Sequence, residues 1–402
     1  MKQSKTPLGI YVHIPFCRSK CLYCDFYSLP QAEDRIKRYV KALCANISQI
    51  AQYTGGYQVD TVYFGGGTPT LLPERYLTDI LERIAQRFHM SRDAEITIEA
   101  NPESAQNWRA LRRLRRGGFN RLSLGVQAAD DALLRAVGRI HTFADVERSV
   151  EALRRAGFRN FSADLIYGLP GQSQAAWMDS LERTLALGPE HLSCYGLKVE
   201  EGTPLHRRQK ELSLPDDDTQ ADMYLSAVQM LTSGGYEHYE ISNFARPGFA
   251  SRHNLKYWTL QEYAGFGPGA HSDLGEMRYA YARDLEGYMA GALAGTLETD
   301  QAERLPERER DTEYIMLSLR TSAGISKAVF EHRYRRRFAP LEAVLRRYEQ
   351  LGCAQPTEEG WRLTAKGFLL SNTIITDLWE AHGQEKLRRE AAAASGDFRV
   401  EL

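Results

Sequence analysis

The chain of 402 residues lacks long apolar runs, an excess of charge of either sign, and enough cysteine for a disulfide framework. No stretch is long enough to span a bilayer, so at most peripheral membrane contact is expected. The formal net charge is −1, which gives no general field for attracting nucleic acid. Residues 1–9 are polar and lack the apolar core of a signal peptide. These features predict a cytoplasmic protein that does not bind nucleic acid.

Half of the six cysteines stand close together, at Cys17, Cys21 and Cys24. Thiolates at this spacing can face one metal centre, and they leave a four-ligand shell one ligand short. Structural zinc sites and four-cysteine iron–sulfur sites close their shells. An open shell therefore favours a cluster whose last iron binds a substrate or cofactor. The scattered cysteines 44, 194 and 353 are predicted to be small apolar residues of the interior.

Short apolar strands alternate with amphipathic helices over roughly the first 200 residues, which predicts a parallel sheet with crossover helices. Further along, glycines and aromatic residues crowd, and from residue 301 the chain becomes helical and charged. We predict a barrel domain over 1–240, a connecting segment over 241–300 that completes the active-site face, a winged-helix-like α+β module over 301–380 and a tail over 381–402. The predicted strands are 9–14, 60–64, 95–99, 121–126, 160–166 and 191–197, and residues 91–93 are predicted as a loop.

Distinctive residues follow the strands where each one ends, which is where parallel sheets bind ligands. The run Gly65–Gly67 follows the second strand, and Pro69 removes an N–H that a phosphate would need. A small zwitterion is therefore favoured over a triphosphate. Glu99 and Asp164 could reach hydroxyl or ammonium groups, while Arg139 could bind a carboxylate bidentately. Each feature taken by itself has a simpler explanation. The glycine run would be explained by a tight turn, and each charged residue by an ordinary salt bridge.

The cysteine spacing together with Gly-Gly-Gly-Thr-Pro resembles the radical S-adenosylmethionine (SAM) superfamily. The strings YVHIPFC, VYFGGGTPT, IEANPE, RLSLGVQ and DLIYGLPGQ, in this order, are similar to the oxygen-independent coproporphyrinogen III oxidase-like family. This resemblance implies a partial (β/α)6 TIM-like barrel, with three cysteines on a [4Fe–4S] cluster whose fourth iron chelates SAM. The positions it implies for SAM are Tyr11, Tyr23, Gly66, Gly67, Thr68, Glu99, Gln127, Arg139 and Asp164.

Two departures separate the chain from the decarboxylating oxidases of that family. Phe26 stands where those enzymes have a further cysteine, and the cysteine loop begins at residue 17, where those enzymes are expected to have a long N-terminal extension before it. The string HNLKYW at 253–258 resembles the haem chaperone branch. His253 would then be an axial haem ligand beside Tyr257 and Trp258, with His271 as a rival ligand and a structural role for His253 as the alternative.

The resemblance therefore predicts a haem chaperone that binds a [4Fe–4S] cluster and SAM. Its expected partners are haem, the respiratory haem proteins that accept it, an electron donor and a second copy of the chain. The alternative is an oxygen-independent coproporphyrinogen III oxidase or another radical SAM tetrapyrrole enzyme, although we expect no coproporphyrinogen III oxidation. The hypothesis of a nucleic-acid-binding protein is supported only by the charged C-terminal region. There, residues 335–337 are predicted to be a solvated helix face.

Overall fold

The computed structural model describes residues 5–30 and 32–394. No helix among them has the length and apolar composition to cross a membrane. One compact unit holds the chain up to Glu237, Ser242–Lys256 and Gln261–Arg304, and a second holds His238–Ile241, Tyr257–Leu260 and the chain from Leu305. Most of the predicted connecting segment 241–300 thus belongs to the first unit. Of the predicted tail, residues 395–402 lie outside the described residues, and the part up to residue 394 is helical.

Strands and helices alternate along the chain up to Arg304, and within this stretch residues 238–241 and 257–260 belong to the second unit. The strands are β1 (Thr6–Ile14), β2 (Phe16–Cys17), β3 (Leu29–Pro30), β4 (Tyr57–Gly66), β5 (Met90–Ala100), β6 (Arg121–Gln127), β7 (Phe161–Tyr167), β8 (His191–Gly196), β9 (Glu237–Glu240), β10 (Asn243–Ala245), β11 (Tyr263–Phe266), β12 (His271–Leu274), β13 (Met277–Tyr281) and β14 (Thr299–Arg304). The helices are α1 (Ile36–Ile50), α2 (Glu74–Arg87), α3 (Trp108–Arg116), α4 (Asp131–Ala136), α5 (Phe143–Ala156), α6 (Gln174–Ala186), α7 (Pro204–Arg207), α8 (Asp217–Ser233), α9 (Arg252–Trp258) and α10 (Leu285–Ala294).

The sheet of the first unit has the strand order β14-β13-β12-β11-β1-β4-β5-β6-β7-β8-β10. Neighbours from β1 through β8 in this order run parallel. Six parallel strands with intervening helices form the partial (β/α)6 barrel that the sequence predicts. The strands at one side, β12 to β14, pair antiparallel.

The two faces of the barrel strands differ in polarity. On β6, Leu122, Leu124 and Val126 are buried in the apolar core, whereas the alternate residues Arg121 and Ser123 line an interior cavity. The same alternation occurs on the other strands, because successive side chains of a strand point to opposite faces. The outer face therefore packs apolar side chains together, and the inner face presents polar ones.

Local sequence sets the ends of the crossover helices. Thr142 and Asp145 form a reciprocal capping box at the start of α5, and Gly157 ends this helix in the left-handed conformation with φ 97°. The Asn107 side chain accepts hydrogen bonds from two backbone N–H groups at the start of α3. Such caps satisfy backbone donors that have no partner within the helix.

The second unit has a winged-helix-like arrangement. A three-stranded antiparallel sheet, in the order β15-β17-β16, joins helices that precede and follow it. Its elements are α11 (Asp311–Ser318), β15 (Ile325–Ser326), α12 (Lys327–Arg333), α13 (Ala339–Gln350), β16 (Ala354–Pro356), β17 (Gly360–Leu363), α14 (Ala365–Leu369) and α15 (Ser371–Ala394). The predicted fold class is confirmed in both units.

Two local predictions are wrong. Residues 91–93, predicted as a loop, extend β5, because pairing with β4 around Met90 overrides their polar character. The basic run 335–337 follows α12 instead of lying on a helix face. Its middle residue, Arg336, donates from Nε to the buried Asp311 at 2.7 Å, so this part of the run is tied to the interior of its unit.

Candidate cofactor site

The cysteine loop lies between β2 and β3 and faces a cavity of about 550 Å³ in the first unit. Cys17, Cys21 and Cys24 are free thiols, and all three line this cavity. The Leu22 backbone anchors the loop: its N–H donates to Val137 O at 3.1 Å, and its carbonyl accepts from Leu205 N at 2.9 Å. Burial raises the pKa of the Cys17 and Cys24 thiols.

The glycine run after β4 packs tightly beneath the cysteine loop. Gly67 N donates to Ile14 O and Thr68 N donates to Phe16 O, each at 2.8 Å. Gly66 has φ 107° and its N–H donates to Glu99 Oε2 at 3.1 Å. These three N–H groups are thus committed within the protein. They are therefore not available for binding a carboxylate or a phosphate.

Gly67 tolerates no side chain, and this gives a first testable prediction. A Cβ atom at Gly67 would lie 2.6 Å from Phe16 O and 2.8 Å from Ile14 O, both of them backbone atoms that cannot swing away. We expect Gly67→Ala to lower the free energy of unfolding by about 1–3 kcal/mol and to impair cluster reconstitution, because the cysteine loop must shift.

Gly56→Ala is the matched control, since nothing lies within 4 Å of a Cβ atom at that position. Its free energy of unfolding, measured by urea denaturation, should stay within about 0.5 kcal/mol of the original value. Equal iron content and stability in both variants would contradict the tight packing described for Gly67.

Arg139 connects the cysteine loop to the ends of two strands. The residue follows α4 and its side chain lines the cavity although the residue is only 9% exposed. One terminal nitrogen donates to Cys21 Sγ at 3.4 Å, and the other donates to Asn101 Oδ1 at 2.7 Å and Gly125 O at 2.8 Å. Its Nε has no hydrogen-bond partner among the described residues. The guanidinium is therefore fixed in place with one donor to spare.

Two carboxylates come from β5 and β7, the strands on either side of β6 in the barrel wall. Glu99 Oε1 accepts from the Tyr63 hydroxyl at 2.8 Å, and burial raises the pKa of Glu99 to about 7. Asp164 accepts from three hydroxyls, those of Ser123 at 2.8 Å, Ser162 at 3.0 Å and Ser193 at 2.7 Å. Both acids line the cavity. The serines, which sequence reasoning missed, hold Asp164 in one orientation.

The remaining predicted SAM residues divide into two groups. Tyr23 and Gln127 line the cavity, and Gln127 adopts φ 68°, a conformation that non-glycine residues rarely take. Tyr11 and Thr68 are absent from the lining. The Tyr11 hydroxyl shares a 3.1 Å hydrogen bond with His13 Nδ1, and Thr68 Oγ1 accepts from Asn101 Nδ2 at 2.9 Å while contacting Cys17 Sγ at 3.6 Å. The side chains of Tyr11 and Thr68 thus pack behind the residues that line the cavity.

The predicted haem residues do not converge in the first unit. His253 is 1% exposed and shares a 2.8 Å hydrogen bond with Thr61 Oγ1. Its ring stacks on Tyr63 at 5.2 Å, and burial lowers its pKa to about 3. Tyr257 and Trp258 belong to the second unit. His253 is thus a neutral interior residue outside the cavity lining, while the rival ligand His271 begins β12.

Comparison with known proteins identifies the family. The Radical SAM superfamily profile matches residues 11–184, and the HemN C-terminal domain profile matches residues 305–370. The chain is 35% identical to the haem chaperone HemW of Lactococcus lactis, over 92% of this chain and 96% of that protein. It is 36% identical to HemW of Bacillus subtilis, over 91% and 97%. The chain belongs to the HemW family. This confirms the sequence-based family prediction.

A solved structure supports the same fold. Coproporphyrinogen III oxidase (HemN) from Escherichia coli, a radical SAM enzyme, aligns with a TM-score of 0.80 and 26% identity, over 93% of this HemW-family chain and 90% of the enzyme. Membership of the radical SAM superfamily implies a [4Fe–4S] cluster and SAM. The site suits both: three free thiols on one loop line the cavity, and the fixed guanidinium of Arg139 lines it beside them.

Proposed function

We propose that this chain is a haem chaperone that holds a [4Fe–4S] cluster and SAM in the barrel and carries haem as cargo. The relationship to HemW proteins over more than nine tenths of this chain, at 35% identity, is the observation that carries the proposal. The cavity lined by the three cysteines supports the cofactor part. Phe26, 68% exposed where the resembling oxidases have a cysteine, removes a potential thiol from the cavity.

Each side chain of the cavity has a proposed task. Cys17, Cys21 and Cys24 hold the cluster as thiolates. Bonding to iron stabilises the thiolate form and so overcomes the rise in thiol pKa that burial causes. Arg139, whose side chain lines the cavity, binds the SAM carboxylate and stabilises Cys21, to which it already donates.

The acids and the backbone would orient the rest of SAM. Glu99 and Asp164 accept hydrogen bonds from its ribose hydroxyls, Gln127 donates to them, and Tyr23 covers the adenine. The carbonyl oxygens of Gly66 and Gly67 receive the ammonium group. When bound and reduced, the cluster supplies one electron for cleaving the sulfonium of SAM.

Haem is the proposed cargo, and respiratory haem proteins are the proposed acceptors. An electron donor is required for reducing the cluster, and a second copy of the chain is a further proposed partner. The haem ligand is proposed to be His253, with Tyr257 and Trp258 as walls. Because His253 is hydrogen-bonded to Thr61 in the interior, this assignment requires the HNLKYW segment to rearrange when haem binds.

Two assays together test the function. Anaerobically purified protein should bind one haem per chain and should fail to convert coproporphyrinogen III to protoporphyrinogen. The absorption spectrum of haem-loaded His253→Ala should differ from that of the wild type if His253 is the axial ligand, and a changed spectrum in His271→Ala instead would assign the rival ligand His271. Decarboxylation with SAM consumption, in a protein that takes up no haem, would reject the chaperone proposal.

The second candidate function is radical oxidation of a tetrapyrrole. The likeness to coproporphyrinogen III oxidase, with a TM-score of 0.80 at 26% identity, favours it. The proposed SAM site also suits an enzyme, since a passive carrier gains little from generating radicals. SAM-dependent product formation from coproporphyrinogen III, followed by chromatography, separates the two candidates.

A further inference from the structure

Arg121 is a buried guanidinium that the proposed cofactor roles do not use. It begins β6, is 1% exposed and lines the cavity. Its Nε has no hydrogen-bond partner among the described residues. An arginine cannot discard its charge, so burying it without a partner is costly. We therefore expect a ligand in the cavity to supply the partner of this guanidinium.

The acids that share the cavity do not fill this role. Asp164 accepts from three serine hydroxyls, and Glu99 accepts from the Tyr63 hydroxyl and Gly66 N. Arg121 lies close enough to oppose the rise in the pKa of Glu99, yet burial dominates and that pKa stays near 7. The nearby His191 is held neutral by burial and by Arg121 itself, which lowers its pKa.

A second unpaired polar group lies beside Arg121. Thr97 on β5 is its register partner across the parallel ladder. Register partners project to the same face of a sheet, so both side chains point into the barrel. Thr97 is fully buried, and its Oγ1 has no hydrogen-bond partner among the described residues. Of the two residues, Arg121 lines the cavity and Thr97 does not, so together they are a pair of polar groups in the cavity wall without hydrogen-bond partners in the part of the chain that the structure describes.

We propose that Arg121, with Thr97 beside it, forms a carboxylate-binding site deep in the barrel, at the opposite end of β6 from Gln127. Arg121 begins β6 and Gln127 ends it, which separates them by roughly 20 Å along the strand. A guanidinium matches a planar carboxylate bidentately. A phosphate would bring close to two negative charges towards Glu99 and Asp164, so a singly charged carboxylate fits this interior better.

The carboxylate can come from a free small acid or from a propionate side chain of haem. The site stands on the unpaired donors alone and does not depend on the chaperone function.

The test compares thermal unfolding of the full, cluster-containing chain in sodium propanoate and in sodium chloride at equal ionic strength. Propanoate should raise the unfolding temperature of the wild type. Arg121→Met should abolish this response and should unfold at a higher temperature than the wild type without ligand, because a buried uncompensated charge is gone. Thr97→Val should weaken the response. Arg159→Met, at an exposed arginine just before β7, should behave as the wild type.

Three results would overturn the proposal. An undiminished propanoate response in Arg121→Met would exclude the site. A ligand-free unfolding temperature below that of the wild type would make Arg121 a structural residue. Loss of SAM binding in this variant would assign Arg121 to the SAM site. Haem titration identifies the source: a 10- to 100-fold loss of haem affinity in Arg121→Met indicates a haem propionate, and unchanged affinity indicates a free acid.

Discussion

Replacing Cys24 with serine should abolish the iron–sulfur cluster. Only three thiols line the cavity among the described residues, so no spare cysteine can replace a lost one. A serine hydroxyl stays protonated at neutral pH and is a poor iron ligand. We expect iron and acid-labile sulfide, measured after anaerobic reconstitution, to fall to a small fraction of the wild-type content, and SAM binding to disappear with them.

Cys44→Ser provides the matched control. Cys44 lies on α1, is half-buried and is absent from the cavity lining. It should retain the full cluster. A Cys24→Ser protein that still holds four irons per chain, with an absorption spectrum that responds to SAM, would reject the ligand assignment.

Replacing Arg139 with methionine should have the next largest effect. Methionine fills a similar volume but removes the donors to Cys21, Asn101 and Gly125, and the buried acceptors lose their partner. Hydrogen bonds to charged groups contribute about 1.5–3 kcal/mol, so losing the proposed contact with the SAM carboxylate should weaken SAM binding about 10- to 100-fold. Equilibrium binding to the reconstituted protein measures this.

Two further variants make the result specific. Arg139→Lys keeps the charge but cannot span three acceptors, so an intermediate loss of SAM affinity is expected. Arg135→Met removes an exposed arginine from the same helix end and should leave SAM affinity unchanged. If Arg139→Met binds SAM as the wild type does, Arg139 only supports the loop.

Local sequence patterns were sufficient to predict the barrel, because strands and crossover helices each show a characteristic pattern over a few residues. The alternation on β6, apolar at Leu122 and Leu124 and polar at Arg121 and Ser123, is visible in the sequence and corresponds to the two faces of the sheet. The polar stretch at 91–93 shows where this approach fails. A partner strand, not local composition, determined that β5 begins at Met90.

Only part of the site could be predicted from the sequence. Residues near strand ends, such as Glu99 and Gln127, could be placed at one edge because parallel strands share a direction. The three serines around Asp164 carry a weaker signal, namely their position on the polar face of three neighbouring strands. The environment of His253 had no local signal, since its partner Thr61 is 192 residues away in the chain.

The sequence by itself determined the three-thiol loop, the order of strands and helices, and the family. These depend on spacing and periodicity, which act over a few residues. Only the tertiary structure decided that Arg139 reaches Cys21 across 118 residues, that the N–H groups of residues 66–68 are already occupied, and that Arg121 is buried with a spare donor. Those outcomes depend on which distant groups the closed barrel brings within hydrogen-bonding distance, and no local pattern encodes that distance.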